Sequence, residues 1–280
     1  MIQPERSGSA FLDDVRAARS RPEPFHIWWL GQSGFLLQTD GRHLLFDPYL
    51  SDSLTRKYAG TEKPHVRMTE RVIAPEKLDF IDVVTSTHNH TDHLDAETLG
   101  PLMEVNEGLP LIIPEANRAF AANRLDCDPA YPIGLVDGAS ATVAGFEFAA
   151  VPAAHEDLET DEEGRHTHLG YVVTFDGWTV YFSGDTVRYD GMVERLDPFD
   201  IDVCILPING SDPSRGVPGN FSGPEAAQLA KDLGAGVAIP CHYEMFEFNT
   251  SSPEPFFEAG RQIGQRAVRL QSGGRWSCDL

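Results

Sequence analysis

One heptapeptide constrains this chain more than any other stretch: Thr87-His88-Asn89-His90-Thr91-Asp92-His93. Three histidines and an aspartate fall in the order H-x-H-x-D-H. The run before it, Ile81-Asp82-Val83-Val84-Thr85-Ser86, reads as a buried strand. The run after it, Leu94-Asp95-Ala96-Glu97-Thr98-Leu99, reads as a helix start with acidic residues in its first turn. The cluster is therefore expected on a strand-to-helix turn, at the carboxyl end of a strand, where open α/β sheets bind ligands. In extended chain, residues two apart point the same way, so His88 and His90 can reach one metal ion together. As the chain turns, Asp92 and His93 point elsewhere and can reach a second. Imidazole and carboxylate suit zinc, manganese or iron.

Further polar residues each end an apolar run. His155 follows Ala149-Ala150-Val151-Pro152-Ala153-Ala154, and Asp185 ends Trp178-Thr179-Val180-Tyr181-Phe182-Ser183-Gly184. His242 ends Gly236-Val237-Ala238-Ile239-Pro240-Cys241, and Asp47 ends His43-Leu44-Leu45-Phe46. A lone residue of this kind is ordinarily a cap or turn residue. Four in this order, beside the H-x-H-x-D-H cluster, point to one site.

With these residues in place, the chain resembles the metallo-β-lactamase fold superfamily and, within it, the L-ascorbate-6-phosphate lactonase family of metal-dependent hydrolases. The resemblance rests on Trp28-Trp29-Leu30-Gly31-Gln32-Ser33-Gly34, Thr87 to Asp95, Phe182-Ser183-Gly184-Asp185 and Ile239-Pro240-Cys241-His242. It implies an α/β (α+β) fold, a four-layer αββα sandwich of two βα halves with the metals at one edge. It also implies two divalent metal ions, manganese or zinc, with iron as a further option. His88, His90 and His155 would hold the first ion, Asp92, His93 and His242 the second, and Asp185 would bridge them. Asp47 would orient ligands without touching metal.

Two adjacent ions acidify a shared water to a pKa near about 7 and polarise the oxygen of the bond it attacks. Asp92 and Asp185 are the catalytic candidates, Asp92 also as the group that orients the attacking water. The expected reaction is hydrolysis of a lactone or another ester, and the resemblance implies a sugar-derived, phosphorylated lactone. Arg215, in Asn209-Gly210-Ser211-Asp212-Pro213-Ser214-Arg215-Gly216, matches part of a Pro-Arg-Gly segment of the ascorbate-phosphate enzymes. Arg215, Asn209 and His65 are the substrate-binding candidates, with Arg56, Lys57 and Arg188 as further cations. Glu162-Glu163-Gly164 reads as an exposed turn, so His166 and His168 are expected at the surface, while His26 and His43 lie within strands as structural residues.

Other chemistries suit the same residue types. A two-metal phosphodiesterase acts on a small phosphodiester or phospholipid. A di-iron site reduces oxygen or nitric oxide, but needs a flavin domain for which the chain has no room. A non-catalytic metal-binding protein needs the ligands and no turnover.

With 280 residues, 41% of them hydrophobic, the chain can build one large core. Residues 1–24 read as a leader with a short helix at 11–18, ending in Arg21-Pro22-Glu23-Pro24, and residues 25–280 as one hydrolase domain. Gly31 and Gly34 are expected to interrupt the first strand, Asp40-Gly41 to turn a hairpin, and residues 49–76 to form a long loop beside the metals. Strands are expected at 111–113, 141–152, 169–175, 178–183, 202–207 and 236–240, and helices at 115–124, 223–233 and 253–263. A net charge of −21, from 43 acidic and 22 basic residues, argues against nucleic acid as a partner. A small-molecule substrate is expected instead, and the resemblance implies a homo-oligomer. Cys127, Cys204, Cys241 and Cys278 form no C-x-x-C pair, which fits a reducing cytoplasm. An apolar signal region and a membrane-spanning run are both absent from this sequence, so no membrane role is expected.

Overall fold

The computed structural model describes residues 1–280. The first half runs α1 (Gly8–Ala18), β1 (Phe25–Gly31), β2 (Gly34–Thr39), β3 (Arg42–Phe46), α2 (Ser53–Lys57), β4 (Val83–Thr85), α3 (Ala96–Val105), β5 (Leu111–Pro114), α4 (Arg118–Leu125) and β6 (Ile133–Leu135). The second runs β7 (Ser140–Val143), β8 (Phe146–Pro152), β9 (Leu169–Phe175), β10 (Trp178–Phe182), α5 (Met192–Leu196), β11 (Val203–Pro207), α6 (Gly223–Asp232), β12 (Val237–Cys241) and α7 (Glu254–Ile263). A last strand, β13 (Arg275–Ser277), returns to the first sheet.

The strands form a seven-stranded sheet, β13-β1-β2-β3-β4-β5-β6, and a six-stranded sheet, β12-β11-β10-β9-β8-β7. Strand alternation shows how they stack. Phe25, Ile27 and Trp29 of β1, Phe35 and Leu37 of β2, and Leu44 and Phe46 of β3 enter the core shared with the second sheet. Their neighbours Trp28, Leu30, Leu36 and Leu45 face the other way, into a second cluster with Phe11 of α1 and Leu99 and Leu102 of α3. Both faces are buried, which is why these strands read as continuous apolar runs. On the far side of the second sheet, Ala226, Ala227 and Leu229 of α6 and Phe256 of α7 close the fourth layer. The αββα expectation holds.

Strands β3 to β6 are parallel, as are β10 to β12. β9 is antiparallel to both β8 and β10, so β8 runs with β10. The carboxyl ends of β3 and β4 in one sheet and of β8, β10 and β12 in the other share one edge of the sandwich, where the residues that follow these strands meet.

Three sequence expectations change in detail. The Gly31–Gly34 break is a reversal, because β1 and β2 pair antiparallel with Gly31 opposite Gly34. The 141–152 segment is a hairpin of β7 and β8 turning at Ala144 and Gly145, both with positive φ. Helix α1 begins at Gly8, and its Phe11, Val15 and Ala18 are buried. Trp28 Nε1 donates to Asp14 at 2.9 Å, and Gln38 Nε2 to the Val15 carbonyl at 3.1 Å. We therefore propose that the segment before Phe25 is an integral layer of the domain. Phe11→Ala should cost about 3–5 kcal/mol, measured by urea unfolding, with exposed Ser9→Ala within about 0.5 kcal/mol. Equal, small effects would make α1 an appendage.

Candidate metal centre

Asp47 organises the shared edge. It leaves β3 with φ +33 and is fully buried. Its Oδ1 accepts from Thr85 Oγ1 at 2.7 Å. Its Oδ2 accepts from Thr87 N at 3.0 Å, from Thr87 Oγ1, and from His93 Nδ1 at 2.8 Å. The carboxylate thus holds both ends of the turn after β4 and fixes which nitrogen His93 turns inward. His155 is fixed likewise, its Nδ1 donating to the Gly219 carbonyl at 2.9 Å. Gly184, at φ +61, lets the loop after β10 approach Thr87. A Cβ there would sit 2.7 Å from Thr87 Cβ.

The seven residues read from the sequence come together. Donor atoms of His88, His90 and His155 lie within 4.8 Å of one another, as do those of His88, His93 and Asp185, and those of Asp92, His93 and His242. Asp185 Oδ1 lies 3.3 Å from His93 Nε2, and its Oδ2 lies 3.1 Å from His242 Nε2 and 3.7 Å from His155 Nε2. Asp92 Oδ2 is 3.5 Å from His242 Nε2 and 3.7 Å from His93 Nε2. Within this cage His88 Nε2, His93 Nε2 and Asp185 Oδ1 are buried with no hydrogen-bond partner. An unpaired buried polar atom costs about 1–3 kcal/mol. A divalent cation removes that cost, and the imidazole–carboxylate set fits one.

Protonation reflects the same crowding. Burial pushes His88 well below its ordinary value, helped by His93 and His90, and holds His90 at about 4. Burial also opposes charge on His93 and His242. The carboxylate of Asp185, with Asp92, outweighs it, raising His93 well above its ordinary value and His242 from 6.5 to about 9. Asp185 and Asp92 move down despite burial, because those imidazoles face them.

His168 is where the sequence expectation fails. The Glu162–Gly164 turn is exposed, but β9 starts at Leu169 and carries His168 inside, 6% exposed. Its ring stacks on His88 at 4.7 Å, and burial, with His155, lowers it to about 3. Its place directly before an apolar strand was the available signal. His166 is half-buried; His26, bonded to Ser277 Oγ at 2.8 Å, and His43, bonded to Gln38 at 2.8 Å, are buried in strands as expected. Gln32, quoted in a motif but given no role, reaches the cage with its amide 2.7 Å from Asp92 Oδ2.

A cavity of about 480 Å³ opens above the cage, with His90, Asp92, His155, Asp185 and His242 on its floor. The 49–76 segment supplies Leu54, Lys57, Tyr58, Lys63 and His65 to its wall. His65 stacks on Tyr58 at 4.3 Å and packs at a tilt against Phe248 at 4.4 Å. Lys63 reaches across to the Gly216 carbonyl. Lys57, Lys63 and Arg124 are the cations of the lining, and Asp92 and Asp185 its only acids.

Arg215 and Asn209 stand outside that lining. The Arg215 guanidinium donates to the Asn209 carbonyl at 2.6 Å and the Thr250 carbonyl at 3.1 Å, bracing its loop. Asn209 is buried between Asn220 and Asn249. Gly216, the next residue, does line the cavity. Arg56 pairs with Glu97 and Arg188 with Asp232, away from it. The four cysteines are free, with Cys241 in the core. No helix is long and apolar enough to cross a membrane.

Known proteins share this architecture. A family model for the beta-lactamase superfamily domain matches residues 42–243. A UPF0173 metal-dependent hydrolase of Methanoculleus marisnigri is 31% identical over 198 residues, 69% of this chain and 80% of that protein. A probable L-ascorbate-6-phosphate lactonase of Escherichia coli O127:H6 is 23% identical over 275 residues, 88% of this chain and 77% of that one. The solved structure of an isothiocyanate hydrolase from Delia radicum gut bacteria has a TM-score of 0.71 at 19% identity, covering 90% of this chain and 99% of that one. At that identity the likeness is one of fold.

Raised His93 and His242 stabilise the metal-free folded chain below their ordinary values, and this stability drains as pH rises through about 9 for His242. Depressed His90 acts at the other end, costing stability as pH falls from 6.5 towards about 4. The chelated protein should therefore lose melting temperature between pH 7 and 9, and the zinc-loaded protein should lose less. Parallel pH profiles by scanning calorimetry would contradict this assignment.

Proposed function

Because the chain belongs to the beta-lactamase superfamily domain family and is a metal-dependent hydrolase, we propose that it hydrolyses a small anionic ester, foremost a phosphorylated, sugar-derived lactone. The observation that carries this reading is the cavity. In a chain of net charge −21, the charged side chains of its wall, Lys57, Lys63 and Arg124, are all cationic, and its only acids belong to the cage on its floor.

We assign His88, His90 and His155 to one divalent cation, Asp92, His93 and His242 to a second, and Asp185 between them. Such cations supply an acidified water and polarise the acyl oxygen. Lys57 and Lys63, on the long segment after β3, draw the substrate's phosphate or carboxylate to the rim. Asp92 reaches both cage and cavity, so its carboxylate takes the proton of the attacking water and returns it to the leaving ring oxygen. The acyl C–O bond breaks, and each opening yields one carboxylic acid.

Proton release in a pH-stat tests this reading on phosphorylated and plain sugar lactones, with manganese- and zinc-loaded protein. Metal-dependent release favouring the phosphorylated lactones is expected. Silence on every lactone, with turnover of bis(p-nitrophenyl) phosphate, would move the site to phosphodiesters. Metal uptake without any turnover would leave a binding protein. Asp185→Ala should abolish turnover while the far-ultraviolet circular dichroism is kept. Lys63→Ala should raise KM for the phosphorylated substrate about tenfold, the scale of a charge-assisted hydrogen bond of roughly 1.5 kcal/mol, and leave KM for the plain lactone within about twofold.

A further inference from the structure

Gln32 has a place in the cage that the hydrolytic reading does not use. It lies in the β1–β2 reversal with φ +50, and it is fully buried. Its carbonyl accepts from Trp29 Nε1 at 2.9 Å and from His242 N at 3.0 Å, so the backbone is tied to the turn that presents His242. Its side chain has no comparable partners in the core. Nε2 donates to Asp92 Oδ2 at 2.7 Å and lies 3.0 Å from His242 Nε2, while Oε1 is buried with no partner at all.

A glutamine that merely filled this turn would satisfy both ends of its amide. This one satisfies one end, on Asp92. Turning the amide over would place Oε1 at 2.7 Å from a carboxylate oxygen, acceptor against acceptor, and a His242 Nε2 that holds a cation has no proton to offer it in exchange, so Asp92 dictates the orientation. Asp92 Oδ2 is also the oxygen facing His93 and His242. A carboxylate oxygen has two lone-pair directions. With the amide on one, the other is left for the group that His93 and His242 complete.

We propose that Gln32 is a positioning residue for the cation at Asp92, His93 and His242, orienting the Asp92 carboxylate without itself being a ligand. The inference rests on the two-cation reading above. It makes the two subsites unequal, because the side-chain amide of Gln32 has no partner in the His88/His90/His155 group.

The test uses the full chain, stripped with a chelator and retitrated with zinc against a chromophoric competitor. Gln32→Met keeps the length of the side chain and removes the donor. The parent should take up two equivalents. The variant should hold the first within about threefold and the second about ten- to hundredfold more weakly, the range seen when a hydrogen-bond partner of a metal ligand is removed. Its kcat should recover at high zinc, and the melting temperature of the metal-free form should stay within about 2 °C. In the parent, selectively 15N-glutamine-labelled, the Gln32 side-chain amide signal should move with the second zinc equivalent and stay still with the first, which tests the claim even if the variant fails to fold. Unchanged uptake in Gln32→Met, or loss of both equivalents together with a drop in metal-free stability, would overturn the positioning role. A parent that binds one equivalent only would overturn the two-cation reading and this inference with it.

Discussion

The buried carboxylate of Asp47 is the contact on which the rest of the site depends. One oxygen holds Thr85 at the end of β4; the other holds Thr87 and the outer nitrogen of His93. Buried charge is costly unless it is fully hydrogen-bonded, and here it is. The return is geometric. The H-x-H-x-D-H turn keeps one shape, His93 shows Nε2 to the interior, and Thr87 stands where only a glycine at 184 lets the opposite sheet approach. The donors on the two sheets can then converge, with His88 Nε2, His93 Nε2 and Asp185 Oδ1 buried and unpartnered, a cost that a cation removes.

Much of this was legible in the sequence, for reasons that differ by residue. His88, His90, Asp92 and His93 are local: a two-residue period followed by a turn fixes their relation within a few residues. His155, Asp185 and His242 could be seen to end strands, but their meeting point depends on β8, β10 and β12 sharing direction across an intervening antiparallel strand, which no local pattern encodes. The layers were legible because strands buried on both faces are apolar throughout. The three-residue strands β6 and β13 are too short to show a period.

The misses share a cause. Residues 162–164 do form an exposed turn, yet the exposure ends within the few residues before β9, and His168 lies on the buried side of that boundary. Arg215 has the charge of an anion receptor but donates to the Asn209 carbonyl of its own loop and the Thr250 carbonyl of the segment after β12. That leaves the cavity's positive charge to Arg124 of α4 and to Lys57 and Lys63 on a segment with little periodicity. Gln32 read as part of a strand break, whereas the break is a reversal that aims its amide at the cage. Boundaries and long-range contacts decided each case, and both lie outside what spacing can specify.

The most direct test of the central claim is anomalous diffraction at the zinc edge from crystals of the zinc-loaded protein. The account predicts two peaks, one among His88, His90 and His155 and one among Asp92, His93 and His242, with Asp185 between them. A single peak, or a zinc ion on His168 in place of His90 or His155, would contradict it.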